Sequence, residues 1–65
     1  MDKRITPNKI VQLWKRMGNR NALASRLDVS EMTIRRWENG QSDSMNSGGY
    51  RFEVERLLVE YEISQ

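Results

Sequence analysis

The sequence predicts an all-α fold: a compact bundle of about four helices in which helices 2 and 3 form a helix-turn-helix. Three observations predict it. Apolar residues recur at helical spacing, helix-capping residues stand at the ends of these segments, and 65 residues suffice for one small domain. We therefore expect a single helix-turn-helix domain over residues 1–65, whose last helix has apolar surface available for a dimer interface.

The first helix is predicted over residues 7–17. Thr6 is a good N-cap residue, and Pro7 suits the first helical position because its missing N–H has no partner there. Gly18 ends the helix, since glycine adopts the left-handed C-terminal conformation without steric cost. The apolar residues of this segment recur at helical spacing: Ile10, Leu13, Trp14 and Met17.

Two short helices with a tight polar turn are predicted over residues 19–40. Asn19 caps helix 2, Asp28 and Val29 make the turn, and Ser30 caps helix 3. Gly40 ends helix 3 as the residue after its C-cap. The core-facing residues of helix 2 are Ala22, Leu23, Ala24 and Leu27.

The segment from Gln41 to Gly49 lacks any apolar periodicity and is predicted as a loop. It is long for a helical domain, and because long loops tend to be functional or mobile, it is a candidate for an arm that grips the backbone of a ligand. A final helix is predicted from Tyr50 onward. Its apolar residues exceed what one core-facing edge requires. The residues chosen as candidates for a two-fold dimer interface are Leu58, Tyr61 and Ile63.

Composition excludes several classes of protein. With no Cys and no His, neither disulfides nor the usual zinc ligands are present, and no cofactor, metal or small-molecule ligand is expected. So small a domain buries a limited core, which favours self-association as a source of stability. No apolar run could span a bilayer, and the N-terminal residues 1–9 lack the apolar core of a signal peptide, so we expect a cytoplasmic protein with no membrane contact.

Charge is unevenly distributed along the chain. Residues 1–40 hold nine Lys and Arg against four Asp and Glu, whereas residues 41–65 hold two against five. A basic first part suggests that this part contacts a polyanion. An ordinary solvated surface is the alternative that charge alone leaves open.

Helix 3 has two faces of different chemistry. Ile34 and Trp37 form an apolar face, and the opposite side carries Met32, Arg35, Arg36 and Asn39. A short helix anchored by one face and presenting Arg and Met on the other suits insertion into a DNA major groove. The alternative is that the arginine pair belongs to a solvated helix face.

The segment resembles the helix-turn-helix of the lambda-repressor/Cro-like family. The matching residues are Leu23-Ala24, Leu27, Asp28-Val29-Ser30, Thr33-Ile34 and Trp37-Glu38-Asn39-Gly40. Asp28 stands where the family usually has glycine, and Arg20 where it often has glutamine. The chain after Gly40 has room for one helix, whereas the family usually has five helices in all. Within the family, the chain looks like compact phage or mobile-element regulators and weakly like anti-CRISPR-associated repressors.

The resemblance implies double-stranded DNA as partner and a homodimeric transcriptional regulator, most simply a repressor that reads a palindromic operator with helix 3. It implies base-reading roles for Glu31, Met32, Thr33, Arg35 and Arg36, with Arg36 bidentate to guanine. It implies contacts with the DNA backbone for Asn19, Arg20, Ser30 and Asn39. Glu31 has two interpretations: it accepts a bond from cytosine, or it orients Arg20 or Arg35. Lys3 and Arg4 are a short basic arm that reaches DNA or stays disordered.

Two other functions are compatible with the sequence. In a winged-helix module of the excisionase or MerR-like kind, residues 41–48 would form a wing and Gly49 to Phe52 its returning strand. In an antitoxin-type interaction module, the apolar tail would bind a second protein. Enzymatic activity is poorly supported, since there is no His, no Cys and no phosphate-binding glycine loop.

Overall fold

The computed structural model describes residues 4–63, which form four α-helices and a short 3₁₀ helix and contain no strand. The elements in chain order are α1 (Pro7–Met17), α2 (Arg20–Leu27), α3 (Glu31–Glu38), the 3₁₀ helix (Ser44–Asn46) and α4 (Gly48–Glu60). The predicted all-α fold of about four helices is confirmed, as are the bounds of α1. Across the described residues, each helix is too short or too polar to cross a bilayer.

Helices α1, α2 and α3 pack against one another, and α4 closes the bundle against α1, α2 and the 3₁₀ helix. The side chains of Ile10, Leu23, Ile34 and Trp37 are completely buried between them. The burial of apolar side chains such as these is the main favourable contribution to folding. The full buried core comprises Ile5, Ile10, Leu13, Leu23, Ala24, Leu27, Ile34, Trp37, Met45, Val54, Leu57, Leu58 and Ile63.

Three helices end in the same backbone motif, in which a residue of left-handed conformation follows the helix. These residues are Asp28 after α2 (φ 57°), Gly40 after α3 (φ 73°) and Glu62 after α4 (φ 58°). In each case the next N–H donates to a carbonyl five residues earlier, at 2.8 to 3.0 Å. This is the Schellman arrangement, which satisfies carbonyls that the helix end would leave unpaired. Asp28 and Glu62 adopt it without the freedom of glycine.

The stretch predicted as a nine-residue loop is more ordered than expected. Ser44–Asn46 forms the 3₁₀ helix, Met45 is buried, and α4 begins at Gly48 rather than Tyr50. The Oγ of Ser44 accepts a hydrogen bond of 2.7 Å from Nε1 of the buried Trp37, which fixes this segment to the core. Because residues 49–52 lie within α4, the returning strand of a winged helix is absent from the described chain.

The N-terminal segment is attached to the 3₁₀ helix. The side-chain amide of Asn46 accepts from the Ile5 N–H at 2.7 Å and donates to the Ile5 carbonyl at 2.9 Å, and the Ile5 side chain is buried. Arg4 forms an ion pair with Asp43. Arg4 is therefore engaged within the chain instead of extending as a basic arm, and Lys3 lies outside the described residues.

The predicted dimer-interface residues are largely part of the core, so that prediction is wrong for Leu58 and Ile63. Leu58 is completely buried, Ile63 is 7% exposed, and Tyr61 is half-buried against the core. Leu58 lies with Val54 and Leu57 on the side of α4 that faces the core. Ile63 is buried because the left-handed turn at Glu62 folds the chain back, so that the Ile63 N–H bonds the Leu58 carbonyl at 2.8 Å. The exposed apolar side chains of α4 are instead Phe52 and Val59.

Candidate nucleic-acid interface

The inner face of α3 fixes the rotation of this helix about its own axis. Ile34 and Trp37 are completely buried, one turn apart. The Trp37 ring is held further by its hydrogen bond to Ser44 and by an edge-on contact with Tyr50, with the ring centroids 5.5 Å apart. A buried indole held both by an aromatic contact and by its N–H has little freedom to turn. The opposite side of α3 is therefore presented outward in a defined orientation.

The outer face of α3 is the solvent-exposed surface predicted to read bases. Glu31, Met32, Arg35 and Arg36 are exposed there, and Met32 is 61% exposed. Because Met32 is exposed on this face, its side chain is accessible for contact with a thymine methyl group.

Within this face the acid and the two arginines differ in their partners. Glu31 lies 4.0 Å from Arg35, one turn away, which fits the interpretation that it orients an arginine. Among residues 4–63, the guanidinium of Arg36 makes neither an ion pair nor a hydrogen bond with a side chain. Arg36 is thus the arginine of α3 whose five donors remain available to a ligand.

The start of α3 is fixed by the predicted cap. The Ser30 Oγ accepts from the Thr33 N–H at 3.3 Å, and the hydroxyls of Ser30 and Thr33 are 3.1 Å apart. Thr33 is half-buried, so of the five predicted base-reading residues it is the least accessible. The hydroxyl groups of both residues serve the helix end, and contact between Ser30 and a DNA backbone remains a prediction.

The start of α2 is capped in the same way by Asn19, whose Oδ1 accepts from the Ala22 N–H at 2.8 Å. Asn19 is exposed at the end of the helix where the dipole is positive, which is a favourable place for a phosphate. Asn39 is also exposed, at the C-terminal end of α3. The structure therefore leaves both residues accessible, as a role in backbone contact requires.

Arg20 has a structural partner that the sequence did not reveal. Its Nε and Nη2 each donate to a carboxylate oxygen of Glu38 at 2.8 Å, and the guanidinium lies 4.5 Å from the centre of the Trp14 ring. Trp14 Nε1 donates to the same carboxylate at 3.1 Å. A planar guanidinium that binds a carboxylate through two bonds and stacks on an indole joins α1, α2 and α3 at one point.

This ion pair dominates the titration behaviour of both residues. The hydrogen bonds from Arg20 hold the pKa of Glu38 below its usual value, against the opposing effect of burial. The hydrogen bond to Glu38 likewise raises the pKa of Arg20. The Glu38 side chain is 13% exposed and that of Arg20 33% exposed. Nη1 of Arg20 makes no bond to Glu38, so Arg20 can offer a phosphate the two N–H donors of that nitrogen while it holds α3 in place.

The remaining chemistry of the described chain is sparse. Across residues 4–63, no group of three or more acidic side chains is placed to hold a metal ion. The available functional groups are thus the exposed arginine, methionine and amide side chains around α2 and α3.

No protein-family model matches the chain, and no curated protein and no solved structure is significantly similar to it. Membership of the lambda-repressor/Cro-like family accordingly stays a prediction from the residues between 19 and 40. The function has to be inferred from the geometry of α2 and α3.

Proposed function

We propose that this chain is a sequence-specific DNA-binding transcriptional regulator that inserts α3 into the major groove of double-stranded DNA. The observation that carries the proposal is the division of α3 into two faces. Ile34 and Trp37 are completely buried, whereas Met32 and Arg36 project from the opposite side with no partner in the described chain. A rigidly held helix with such a free face suits base recognition.

Each residue of the interface has a role that follows from its position. Arg36 donates two bonds to guanine O6 and N7, and Met32 contacts a thymine methyl group. Glu31 holds Arg35 at the edge of the groove. Asn19 and the N-terminal amides of α2 bind a phosphate, with Nη1 of Arg20 as an added donor.

The unit of function in this proposal is a homodimer in the cytoplasm. Two copies of α3 placed about 34 Å apart, one turn of DNA, would read a palindromic operator. Occupation of a promoter by so small a protein blocks transcription without a further catalytic or activating surface, so we propose a repressor.

The experiment that tests the proposal is selection of bound duplexes from a random library, followed by measurement of Arg36→Ala on the selected operator. We expect a loss of about 1–3 kcal/mol in binding free energy and relaxed preference at one base pair. Arg26→Ala is the matched control, because Arg26 is exposed but pairs with Glu60 of α4 at 3.6 Å, away from the face of α3. Equal operator affinity for both variants would contradict the placement of α3 in the groove.

A further inference from the structure

Two large apolar side chains on the outer side of α4 lie outside the core. Phe52 is 71% exposed and Val59 is 72% exposed. Seven residues apart, they lie on one face of the helix and about 10 Å apart along its axis. Between them on the same face lie Glu55 and Arg56, and an open apolar groove is lined by Phe52, Glu55, Arg56, Val59 and Glu60.

We infer that this outer face of α4, formed by Phe52, Glu55, Arg56 and Val59, is where a second copy of the chain packs. The two α4 helices run parallel about a two-fold axis. Only the effect of this dimer on DNA binding rests on the proposed function. The interface itself follows from the composition and charge of the face.

The charges of the face are self-complementary in the parallel arrangement. Glu55 and Arg56 lie on opposite flanks of the line from Phe52 to Val59, and their heights along the axis differ by about 1.5 Å. A two-fold axis parallel to the helices brings the left flank of each against the right flank of the other. Glu55 lies 3.6 Å from Arg51 of its own helix, so its carboxylate already has one cation beside it. In the dimer, Glu55 of each copy also faces Arg56 of the other, while the two Phe52 side chains meet and the two Val59 side chains meet.

The antiparallel arrangement places charges of the same sign together. Its two-fold axis crosses the helices, so each flank meets its own counterpart, with Glu55 against Glu55 and Arg56 against Arg56. Like charges placed together are destabilising. A nucleic acid is also a poor occupant, because Glu55 and Glu60 line the groove. A parallel pair of identical chains is the occupant that the charges favour.

The size of the face predicts a weak dimer. Helix α4 has 13 residues, so its exposed face measures about 20 Å by 10 Å. This is well below the roughly 800 Å² that each partner buries in a stable complex. We therefore expect a dimer that dissociates at micromolar concentrations in free solution. If the chain binds DNA as proposed, two copies on adjacent half-sites reach an effective concentration of about millimolar, enough to form the interface there.

Single cysteine substitutions test the arrangement cleanly, because the chain has no cysteine of its own. In the parallel dimer, Phe52→Cys and Val59→Cys each place two thiols within disulfide distance across the two-fold axis. Glu53→Cys is the matched control, exposed on the same helix but about 100° around it. At equal concentration we expect both interface variants to form disulfide-linked dimers about tenfold faster than the control.

Sedimentation of the wild-type chain provides an independent measurement. We expect reversible dimerisation at hundreds of micromolar, lost in Phe52→Glu and unchanged in Glu53→Ala. Since Phe52 is exposed, its replacement leaves the fold intact, as circular dichroism will check. Glu55→Arg should weaken the dimer, and adding Arg56→Glu should restore it, because the two charges exchange sides.

The inference is overturned if the interface cysteines react no faster than the control, or if the wild type stays monomeric near millimolar concentration. Cross-linking only in the combined Phe52→Cys and Val59→Cys variant, with neither single variant reacting, would show an antiparallel pair and overturn the parallel one. Binding to a single half-site separates this result from the proposed function. Phe52→Glu should keep that binding and lose cooperativity on a double site. A dimer that selects no duplex would refute the DNA-binding proposal and leave the interface standing.

Discussion

Replacement of Asp28 by glycine is expected to stabilise the protein. Asp28 occupies the left-handed conformation after α2, with φ 57° and ψ 44°. An L residue there costs roughly 1–2 kcal/mol, somewhat less for aspartate, whereas glycine pays only the entropy of its freer unfolded chain, about 0.5–1 kcal/mol. The exposed Asp28 side chain makes no hydrogen bond or ion pair in the described chain, so its removal forfeits neither.

The net gain expected for Asp28→Gly is about 0.5–1 kcal/mol, which corresponds to a rise in Tm of about 2–8 °C for a domain of this size. Thermal unfolding, followed by the loss of the helical circular dichroism signal, measures this change in Tm. Glu62→Gly should gain at least as much, since Glu62 has the same φ and lacks the local tolerance of aspartate.

Two controls isolate the backbone effect. Asp28→Ala keeps the side-chain Cβ in the left-handed conformation and should lower Tm. Ser25→Gly introduces glycine at an exposed position inside α2 and should destabilise by about 0.5–1 kcal/mol. A Tm for Asp28→Gly at or below that of the wild type, with helix content unchanged, would refute the reasoning.

Three further results are expected. Glu38→Gln should remove part of the acid sensitivity of folding. Because the pKa of Glu38 is lowered in the folded state, the ionised carboxylate stabilises the fold fully above the usual glutamate pKa, and this stabilisation is lost as pH falls through the folded-state pKa. The Tm of the wild type should therefore fall more steeply on acidification than the Tm of the variant. Trp37→Ala should cost about 3–5 kcal/mol, since it empties the centre of the core and frees Ser44, and denaturant titration would show the chain largely unfolded; a folded variant would contradict the anchoring of α3. The logarithm of the operator-binding constant should fall linearly with the logarithm of the salt concentration, with a slope of about −0.9 for each phosphate neutralised. A binding constant that does not change with salt in a filter-binding titration would argue against DNA as the ligand.

The first three helices could be predicted from local chemistry. Thr6 and Pro7 mark the start of α1, Asn19 and Ser30 cap α2 and α3, and Gly40 ends α3 with a left-handed residue. Each signal acts within one turn of chain, so it can be read without knowledge of the rest of the fold. Thr6 shows the limit of this approach: it occupies the N-cap position, but its side chain makes no capping hydrogen bond.

Contacts between distant parts of the chain could not be predicted in this way. The Asn46 side chain bonds Ile5, 41 residues earlier, and the Glu38 carboxylate bonds Arg20 across 18 residues. No periodicity connects such pairs, and an isolated arginine at the start of a helix fits a phosphate contact equally well. The stretch from 41 to 47 is held by the distant contact between Asn46 and Ile5 and by the more local bond from Trp37 to Ser44.

The helical spacing of the last helix places Phe52 and Val59 away from the stripe of Val54, Leu57 and Leu58, and the structure leaves these two residues exposed. Spacing alone does not predict the burial of Ile63, because the backward turn at Glu62 requires an uncommon conformation for glutamate. For α3, by contrast, the large Trp37 and Ile34 decide the inward face without ambiguity.

The reciprocal amide bonds between Asn46 and Ile5 make this fold vulnerable to chemical ageing. Hydrolysis of the Asn46 amide to a carboxylate would replace the donor facing the Ile5 carbonyl by an acceptor, so one of the two bonds would become a repulsion between oxygens. In stored protein that carries this change, Ile5 should leave the core and the exposed apolar surface should bind hydrophobic dyes. The Asn46→Asp variant should show the same increase in dye binding without storage.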